Sequence, residues 1–213
     1  MPEALIVVGA GGFGRETLDV IEAINAVSPS PIWTVTGVVD DAPSDADLAR
    51  LAARGYAHLG AIDDNRERFA AARHVVAIGS PATRARVVAR LDDGRTADAL
   101  VHPRAVVGSQ ARLSHGVVVC SGAQISTNVT LGAHVHVNPG AIIGHDATFG
   151  SFVSVNPGAV ISGAVEVGEG SLVGAAAVVL QGLRVGRGAT VGAAACVTRD
   201  VEPGVVVKGV PAR

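Results

Sequence analysis

A repeat of six residues runs without insertion or deletion through the second half of this chain. Residues 101–202 divide into seventeen hexapeptides, each opening with an aliphatic residue or, once, with Phe149. The fifth position of each hexapeptide is also small or aliphatic, with Ser171 as the one polar exception. A period of six with two inward positions fits neither an amphipathic helix nor an alternating strand. It predicts a parallel β-helix.

A longer period is visible above the six, because segments eighteen residues apart are alike. Three hexapeptides make one triangular coil in this architecture, so residues eighteen apart should stack in columns. Of the three outward faces, one is apolar; it carries Val106, Gln124, Ile142, Val160, Val178 and Cys196. An exposed apolar stripe predicts self-association. Closed cyclic symmetry then favours a homo-oligomer, which we expect to be a homotrimer of prisms.

The first hundred residues show a different pattern, in which apolar strands alternate with amphipathic helices. The predicted strands are residues 4–9, 33–39, 74–78 and 97–101, and the predicted helices follow residue 16 and cover residues 46–54, 65–72 and 83–91. This alternation predicts a parallel sheet with right-handed crossovers. We therefore divide the chain into a short Rossmann-like α/β domain at 1–100, an all-β parallel β-helix at 101–202 and a C-terminal tail at 203–213.

Gly9, Gly11 and Gly14 have the GxGxxG spacing between a predicted strand and a predicted helix. Backbone amides at such a helix N-terminus can bind a pyrophosphate. The alternative is that the glycines serve only a tight turn between strand and helix. Four strands are too few for a dinucleotide fold, and the acidic pair Asp40 and Asp41 comes later than the roughly 20 residues expected of a ribose-binding carboxylate. We therefore favour a nucleotide diphosphate, with Asp40 and Asp41 as ribose or base ligands or, alternatively, as a solvated pair.

Composition narrows the class of ligand and the compartment. A net charge of −2 gives no general attraction to nucleic acid or to an anionic membrane. Mean hydropathy is +0.41, yet no run approaches the roughly 20 apolar residues of a membrane span. The N-terminus shows no secretory signal, and Cys120 and Cys196 lack CxxC spacing, which predicts thiols in a cytoplasmic protein. We expect small-molecule ligands.

Five of the seven histidines lie in the repeat. His134 and His136 have a spacing that can hold a metal on a strand, but no third ligand is near in sequence, so we predict no metal. His145 follows the apolar face at a turn, and Asp146 beside it could orient the imidazole. The alternative is an ordinary turn histidine. Because no cysteine or serine has a nucleophile context, a general base assisting direct transfer is the favoured chemistry.

Six short motifs together resemble a known family. They are GAGGFGRE at 9–16, VDD at 39–41, VAIG at 76–79, IGHD at 143–146, VNPGA at 155–159 and KGVPA at 208–212. In this order they are similar to the hexapeptide acyltransferases that acetylate amino groups of nucleotide-linked sugars, including bacillosamine- and perosamine-type N-acetyltransferases and related sialic acid O-acetyltransferases. The resemblance covers essentially the whole chain. It implies a left-handed β-helix trimer with acetyl-CoA in the cleft between neighbouring prisms.

The resemblance also implies roles for particular residues. His145 would remove a proton as the sugar amine attacks the thioester, with Asp146 as its partner. The implied CoA-binding residues are Ser154, Gly163, Ala175, Ala193 and Lys208, with the backbone of the glycine and alanines lining one pantetheine groove. Arg187 is a further candidate for the CoA phosphates, and for both basic residues a solvated surface charge is the alternative. The implied nucleotide-binding residues are Gly11, Gly12, Phe13, Asp40 and Asp41.

Two positions depart from the family's pattern. Ser154 stands where several relatives have a second histidine near the thioester, so any help from this position would be a hydroxyl contact. Phe13 stands where some members have a histidine in the glycine loop, which removes that side-chain contact to the diphosphate. Arg15 is the candidate replacement.

These observations together predict an acetyl-CoA-dependent N-acetyltransferase acting on a nucleotide-linked amino-deoxy sugar. Two alternatives stay open. One is a sugar O-acetyltransferase of the sialic acid type, and the other is a non-catalytic β-helix scaffold that binds nucleotide sugars.

Overall fold

The computed structural model describes residues 1–91 and 94–213. The chain divides into two compact units, Met1–Ala97 and Asp98–Arg213. The longest helix in the described residues has 16 residues, and none there combines the length and apolarity that a membrane crossing requires.

The first unit is a three-stranded parallel sheet with helices between its strands, in the order β2-β1-β3. Its strands are β1 (Glu3–Val8), β2 (Trp33–Val39) and β3 (Arg73–Val76). Its helices are α1 (Gly12–Val27), α2 (Asp45–Ala52), α3 (Arg66–Ala71) and α4 (Pro81–Leu91), with a 3-10 turn at Asp63–Asn65. Because β1 is central and covered on both faces, its last four residues are an uninterrupted buried apolar run.

The predicted fourth strand at residues 97–101 is wrong as part of this sheet. After α4 the chain makes one isolated bridge to this sheet, between Thr96 and His74 of β3, and then continues into the second unit. Leu100 and Val101 pair instead with Val118 and Val119 in the β-helix. The apolar run suits either sheet, and the register of the first hexapeptide decides between them.

The second unit is a parallel β-helix built from two-residue strands in three sheets. The first sheet holds β4 (Leu100–Val101), β7 (Val118–Val119), β10 (His136–Val137), β13 (Ser154–Val155), β16 (Leu172–Val173), β19 (Thr190–Val191) and β21 (Val206–Val207). The second holds β5 (Val106–Val107), β8 (Gln124–Ile125), β11 (Ile142–Ile143), β14 (Val160–Ile161), β17 (Val178–Val179) and β20 (Cys196–Val197). The third holds β6 (Arg112–Leu113), β9 (Thr130–Leu131), β12 (Thr148–Phe149), β15 (Glu166–Val167) and β18 (Arg184–Val185).

Strand pairing follows the eighteen-residue columns expected from the sequence as far as β20, after which Val185 bridges Val201 and Thr190 pairs with Val206, each only sixteen residues later. In the second sheet, for example, Ile142 pairs with Gln124 on one side and with Val160 on the other. The second residue of each strand points inward, and a continuous apolar core runs along the axis, from Val117 to Val201. About six coils result, and the predicted order of an α/β unit followed by a β-helix is confirmed.

Candidate active site

His145 and Asp146 form a hydrogen-bonded pair at a corner of the β-helix, just after β11. The Nδ1 atom of His145 lies 2.6 Å from Oδ2 of Asp146, and about half of each side chain is exposed. The corner fixes the pair from below, because the Asp146 amide donates to the Thr127 carbonyl one coil earlier. The positive φ of 61° at Asp146 turns its side chain towards the histidine.

The charge on Asp146 determines which ring nitrogen is available. Hydrogen bonds from His145, first, and from Asn128 hold the pKa of Asp146 below its ordinary value. An ionised carboxylate can only accept, so Nδ1 of His145 is the donor in this contact. In the neutral imidazole Nε2 then carries the lone pair and can accept a proton.

Gly163 lies against the imidazole ring one coil later. A Cβ atom at this position would come within 2.6 Å of both Cε1 and Nε2 of His145. Because a real Cβ does not approach so closely, the ring can occupy this position only over a glycine. The structure therefore brings together three of the predicted site residues, His145, Asp146 and Gly163.

Ala175, Ala193 and Lys208 stack at a different corner, between the first and second sheets. The Ala194 amide donates to the Ala175 carbonyl, and a Cβ on Gly192 would meet Cβ of Lys208 at 3.0 Å. Gly163 follows the second sheet, whereas these three precede it. Within one chain the predicted groove residues thus lie on the two edges of the second sheet.

Ser154 and Arg187 lie apart from the His145 corner. Ser154 belongs to β13 in the first sheet, where it pairs with His136 and Leu172 and is only 1% exposed. Arg187 is exposed and donates to Glu169 across 3.0 Å.

The glycine segment of the first unit combines a tight turn with open backbone. A Cβ on Gly14 would lie 1.9 Å from the Gly9 carbonyl oxygen, so this glycine is required where α1 packs on β1. By contrast, Cβ atoms on Gly11 and Gly12 would meet nothing within 4 Å. Gly11 is also the N-cap of α1 and makes no side-chain cap. The first turn of α1 thus presents free space at backbone amides, as an anion site requires.

Asp40 and Asp41 are bound by their own unit, so neither is merely solvated. Asp40 accepts from the Ala10 amide at 2.8 Å and from the Ala42 amide at 3.0 Å. Asp41 accepts from the Ile62 amide at 2.9 Å and pairs with Arg90. These hydrogen bonds, that of Arg90 first, lower the pKa of Asp41. Both carboxylates hold loops at the carboxyl end of β2.

Phe13 and Arg15 lie in the first turn of α1. The Phe13 carbonyl accepts from the Thr17 hydroxyl. Arg15 donates to the Ala10 carbonyl and forms an ion pair of 2.5 Å with Asp47. The guanidinium predicted as a substitute diphosphate ligand is thus already neutralised by a carboxylate.

The paired histidines at 134 and 136 are interior residues. His134 is stacked on Phe152 with ring centroids 5.2 Å apart and meets His115 edge-on. His136 is fully buried in β10. Within residues 1–91 and 94–213, no group of three or more histidines, cysteines and acidic residues is placed to hold a metal ion.

Asn128 is a site residue that the sequence reasoning missed. Its Nδ2 atom donates to Oδ1 of Asp146 across 2.9 Å. The available signal was position, because Asn128 stands eighteen residues before Asp146 and therefore in its column.

Comparison with known proteins finds acetyltransferases of similar structure. Residues 4–91 match the family model described as the PglD N-terminal domain. The structure of PerB from Caulobacter crescentus, in complex with CoA and GDP-perosamine, is 29% identical, with a TM-score of 0.86 over 99% of this chain and 96% of that chain. The acetyltransferase domain of PglB from Neisseria gonorrhoeae, in complex with acetyl coenzyme A, is 27% identical, with a TM-score of 0.80 over 100% and 99%. WeeI from Acinetobacter baumannii is 25% identical, with a TM-score of 0.81 over 99% and 98%.

The comparison with curated protein sequences gives no match. The fold is a parallel β-helix that matches the left-handed β-helix of solved acyltransferases, preceded by an α/β unit. This hand is an exception to the right-handed rule for parallel crossovers. Within the class, the resemblance to the perosamine- and PglB-type sugar N-acetyltransferases is confirmed over the full length of the chain.

Proposed function

We propose that this protein is an acetyl-CoA-dependent N-acetyltransferase acting on the amino group of a nucleotide-linked amino-deoxy sugar. One observation carries the proposal: an oriented His145–Asp146 pair stands at an exposed corner, over a glycine that the ring requires. The likeness to PerB, solved with CoA and GDP-perosamine, supports the two substrates.

The chain's own residues supply base catalysis. Acetyl-CoA brings an acyl carbon activated as a thioester. Nε2 of His145 takes a proton of the sugar amine as the amine nitrogen bonds to the acyl carbon. The carbon–sulfur bond breaks, the imidazolium returns the proton to the sulfur, and CoA leaves as the thiol. Asp146 stabilises the imidazolium through the Nδ1 hydrogen bond of 2.6 Å. Base assistance of this kind contributes about 10²–10⁴-fold in rate.

The acyl-CoA site is proposed to lie between neighbouring copies of the chain. Gly163 beside His145 lies on one edge of the second sheet, and Ala175, Ala193 and Lys208 lie on the other. The face between these edges is apolar, with Val106 55% exposed and Ile142 44% exposed. A homotrimer would cover this face and set one edge against the opposite edge of the next copy.

The nucleotide of the sugar is proposed to bind the first unit. Gly11 and Gly12 offer uncrowded backbone at the start of α1 for the diphosphate. Phe13 lies in the same turn, and Asp40 and Asp41 have carboxylate lone pairs beyond those already used. In this account residues 1–100 bind the nucleotide sugar and residues 101–202 transfer the acyl group. Cys120 and Cys196 are thiols rather than a disulfide, which suits the cytoplasm.

A substrate screen tests the reaction. The purified protein is incubated with acetyl-CoA and with UDP-, dTDP- or GDP-linked amino sugars, and thiol release is followed together with the mass and NMR spectrum of the product. We expect thiol release and an N-acetyl product with at least one nucleotide-linked amino sugar. An O-acetyl product would favour the sialic acid type of reaction. No release from nucleotide-linked sugars, together with release from simple sugars, would overturn the substrate assignment.

Calorimetry with CoA separates the enzyme from a non-catalytic scaffold. The proposal expects CoA to bind and Lys208→Ala to weaken binding more than Arg199→Ala, an exposed control near the same end of the β-helix. A protein that binds nucleotide sugars but no CoA would be a scaffold.

A further inference from the structure

The corner that carries His145 repeats in successive coils with the same backbone shape. Gln110, Asn128, Asp146 and Ala164 all have a φ between 55° and 61° there. Backbone hydrogen bonds connect consecutive members of this corner, from the Asn128 amide to Ser109 and from the Ala164 amide to His145. Side chains in the column are therefore separated by about one strand spacing, roughly 4.8 Å. Asn128 lies directly beneath Asp146.

The two oxygens of Asp146 have different partners. Oδ2 contacts Nδ1 of His145 at 2.6 Å, and Oδ1 accepts from Nδ2 of Asn128 at 2.9 Å. A carboxylate held by one hydrogen bond can turn about its side-chain torsions, whereas two opposed hydrogen bonds fix its plane. Asn128 adopts the left-handed conformation, with a φ of 59°, which asparagine tolerates better than most residues.

Residues below and above the pair have opposite character. Below it, Thr127 is itself anchored, since its hydroxyl contacts the Ser109 hydroxyl at 3.0 Å and donates to the Ser109 carbonyl at 2.8 Å. Above it, the next coil has Gly163, whose lack of a Cβ lets its backbone lie against the ring, and Ala164. The corner thus has polar side chains on its N-terminal side and only small residues on its C-terminal side.

We propose that Asn128 is a positioning residue for the base, fixing the carboxylate of Asp146 and, through it, the tautomer and direction of the His145 imidazole. This inference rests on the proposed role of His145 as the general base. Asn128 itself touches neither substrate. We therefore expect a substitution of Asn128 to lower the turnover number rather than to weaken substrate binding.

Asn128→Gly is the variant that tests the proposal with least disturbance. Glycine accepts the positive φ without strain, so only the carboxamide is lost. Gln110→Gly is the matched control, because it makes the same kind of change at the same corner one coil earlier, at a φ of 60°. Asn128→Asp is a second variant, which keeps the shape of the side chain but replaces its NH₂ donor by a carboxylate oxygen.

Two readouts are compared in the full-length protein. The first is the ¹⁵N NMR spectrum of the histidine rings, which reports the tautomer of neutral His145, assigned with His145→Ala. The second is kcat and KM for acetyl transfer. We expect the Nδ1–H tautomer to predominate in the wild type and in Gln110→Gly. In Asn128→Gly we expect a mixture of tautomers and a kcat about tenfold lower with little change in KM, as for one lost hydrogen bond to a charged group. Asn128→Asp should lower kcat likewise.

The possible failures are distinguishable. An unchanged tautomer and kcat in Asn128→Gly would overturn the positioning role while leaving the proposed function intact. An equal loss of kcat in Asn128→Gly and Gln110→Gly, without a tautomer change, would also overturn it, since the effect would then be one of corner structure. Full transfer by His145→Ala would refute the base, and the tautomer would still report whether Asn128 orients the ring.

Discussion

Gly163 shows how one missing side chain can decide the chemistry of another. Its hydrogen occupies the place where a Cβ would lie 2.6 Å from His145. We expect Gly163→Ala to keep the fold, because no positive φ is required there, but to displace the imidazole. Misplacement of about 1 Å typically costs around 10²-fold in rate, so kcat/KM for thiol release should fall by about that factor.

Ser162→Ala is the control for Gly163→Ala, since it changes the neighbouring residue of the same corner without adding an atom against the ring. Far-ultraviolet circular dichroism should be the same for both variants and the wild type. Undiminished transfer by Gly163→Ala would mean that His145 does not work from the position seen here.

At the residue scale the sequence predicted that His145 and Asp146 would form a pair, which the structure shows as a hydrogen bond, but not the support of that pair. His145 and Asp146 stand out because two chemically suitable residues adjoin the apolar face. Asn128 does not stand out, since asparagine in a turn is ordinary and its contact depends on two left-handed residues stacking eighteen positions apart. The partners of Asp41 were equally hidden, because Ile62 and Arg90 come from segments that only the fold brings to the end of β2.

The ion pair between Asp41, just after β2, and Arg90 in α4 should give the first unit a pH-dependent stability. The folded-state pKa of Asp41 is depressed, first by the hydrogen bond from Arg90 and then by that from Ile62. Such a group stabilises the fold above its unfolded-state pKa and loses this contribution as pH falls through the folded-state value. Asp41→Asn should therefore lower the free energy of unfolding at pH 7 by about 0.5–1 kcal/mol, as exposed pairs do, and by less near pH 3.

Urea unfolding at the two pH values measures this difference. Trp33, the one tryptophan of the chain, lies in β2, so its fluorescence follows the first unit. Asp64→Asn is the control, because it removes an exposed carboxylate of the 3-10 turn and leaves the Asp41–Arg90 pair intact. A deficit in Asp41→Asn that is the same at pH 7 and pH 3 would argue against the ion pair.

At the element scale, the regular six-residue repeat made the β-helix predictable. The α/β sheet was less predictable because it has only a few short strands. Hexapeptides in one register leave a single way to place the inward residues, so each pairing up to β20 follows from the count. The run at residues 97–101 lies where the strand–helix pattern ends and the first hexapeptide begins. Its apolar residues suit either sheet, and the prediction of a fourth strand in the first unit was wrong for that reason.

At the scale of the whole molecule, the exposed apolar face of the second sheet is where we expect copies of the chain to associate. We expect a particle with close to three times the 21.3 kDa mass of one chain. Ile142→Glu places a charge in the centre of the apolar face and should dissociate the trimer into single chains. Acetyl transfer should then be lost as well, if the two edges of the face meet between copies. Sedimentation equilibrium measures the mass.

Thr148→Glu is the matched control for Ile142→Glu, because it puts the same charge at the exposed outward position of the next strand, β12, in the third sheet. It should leave the mass unchanged. A wild-type protein that sediments as a single chain, or an Ile142→Glu variant that keeps the mass of the wild type, would contradict the proposed assembly.

The central claim is that His145 is the base for acyl transfer to a nucleotide-linked amino sugar, and one comparison tests it most directly. The value of kcat/KM for thiol release from acetyl-CoA is measured at pH 7 for the wild type and for His145→Ala, with the nucleotide-linked amino sugar that the wild type uses best. We predict a decrease of at least about 10²-fold, which is partly restored at high pH, where more of the amine is unprotonated. A variant as fast as the wild type at pH 7 would contradict the account.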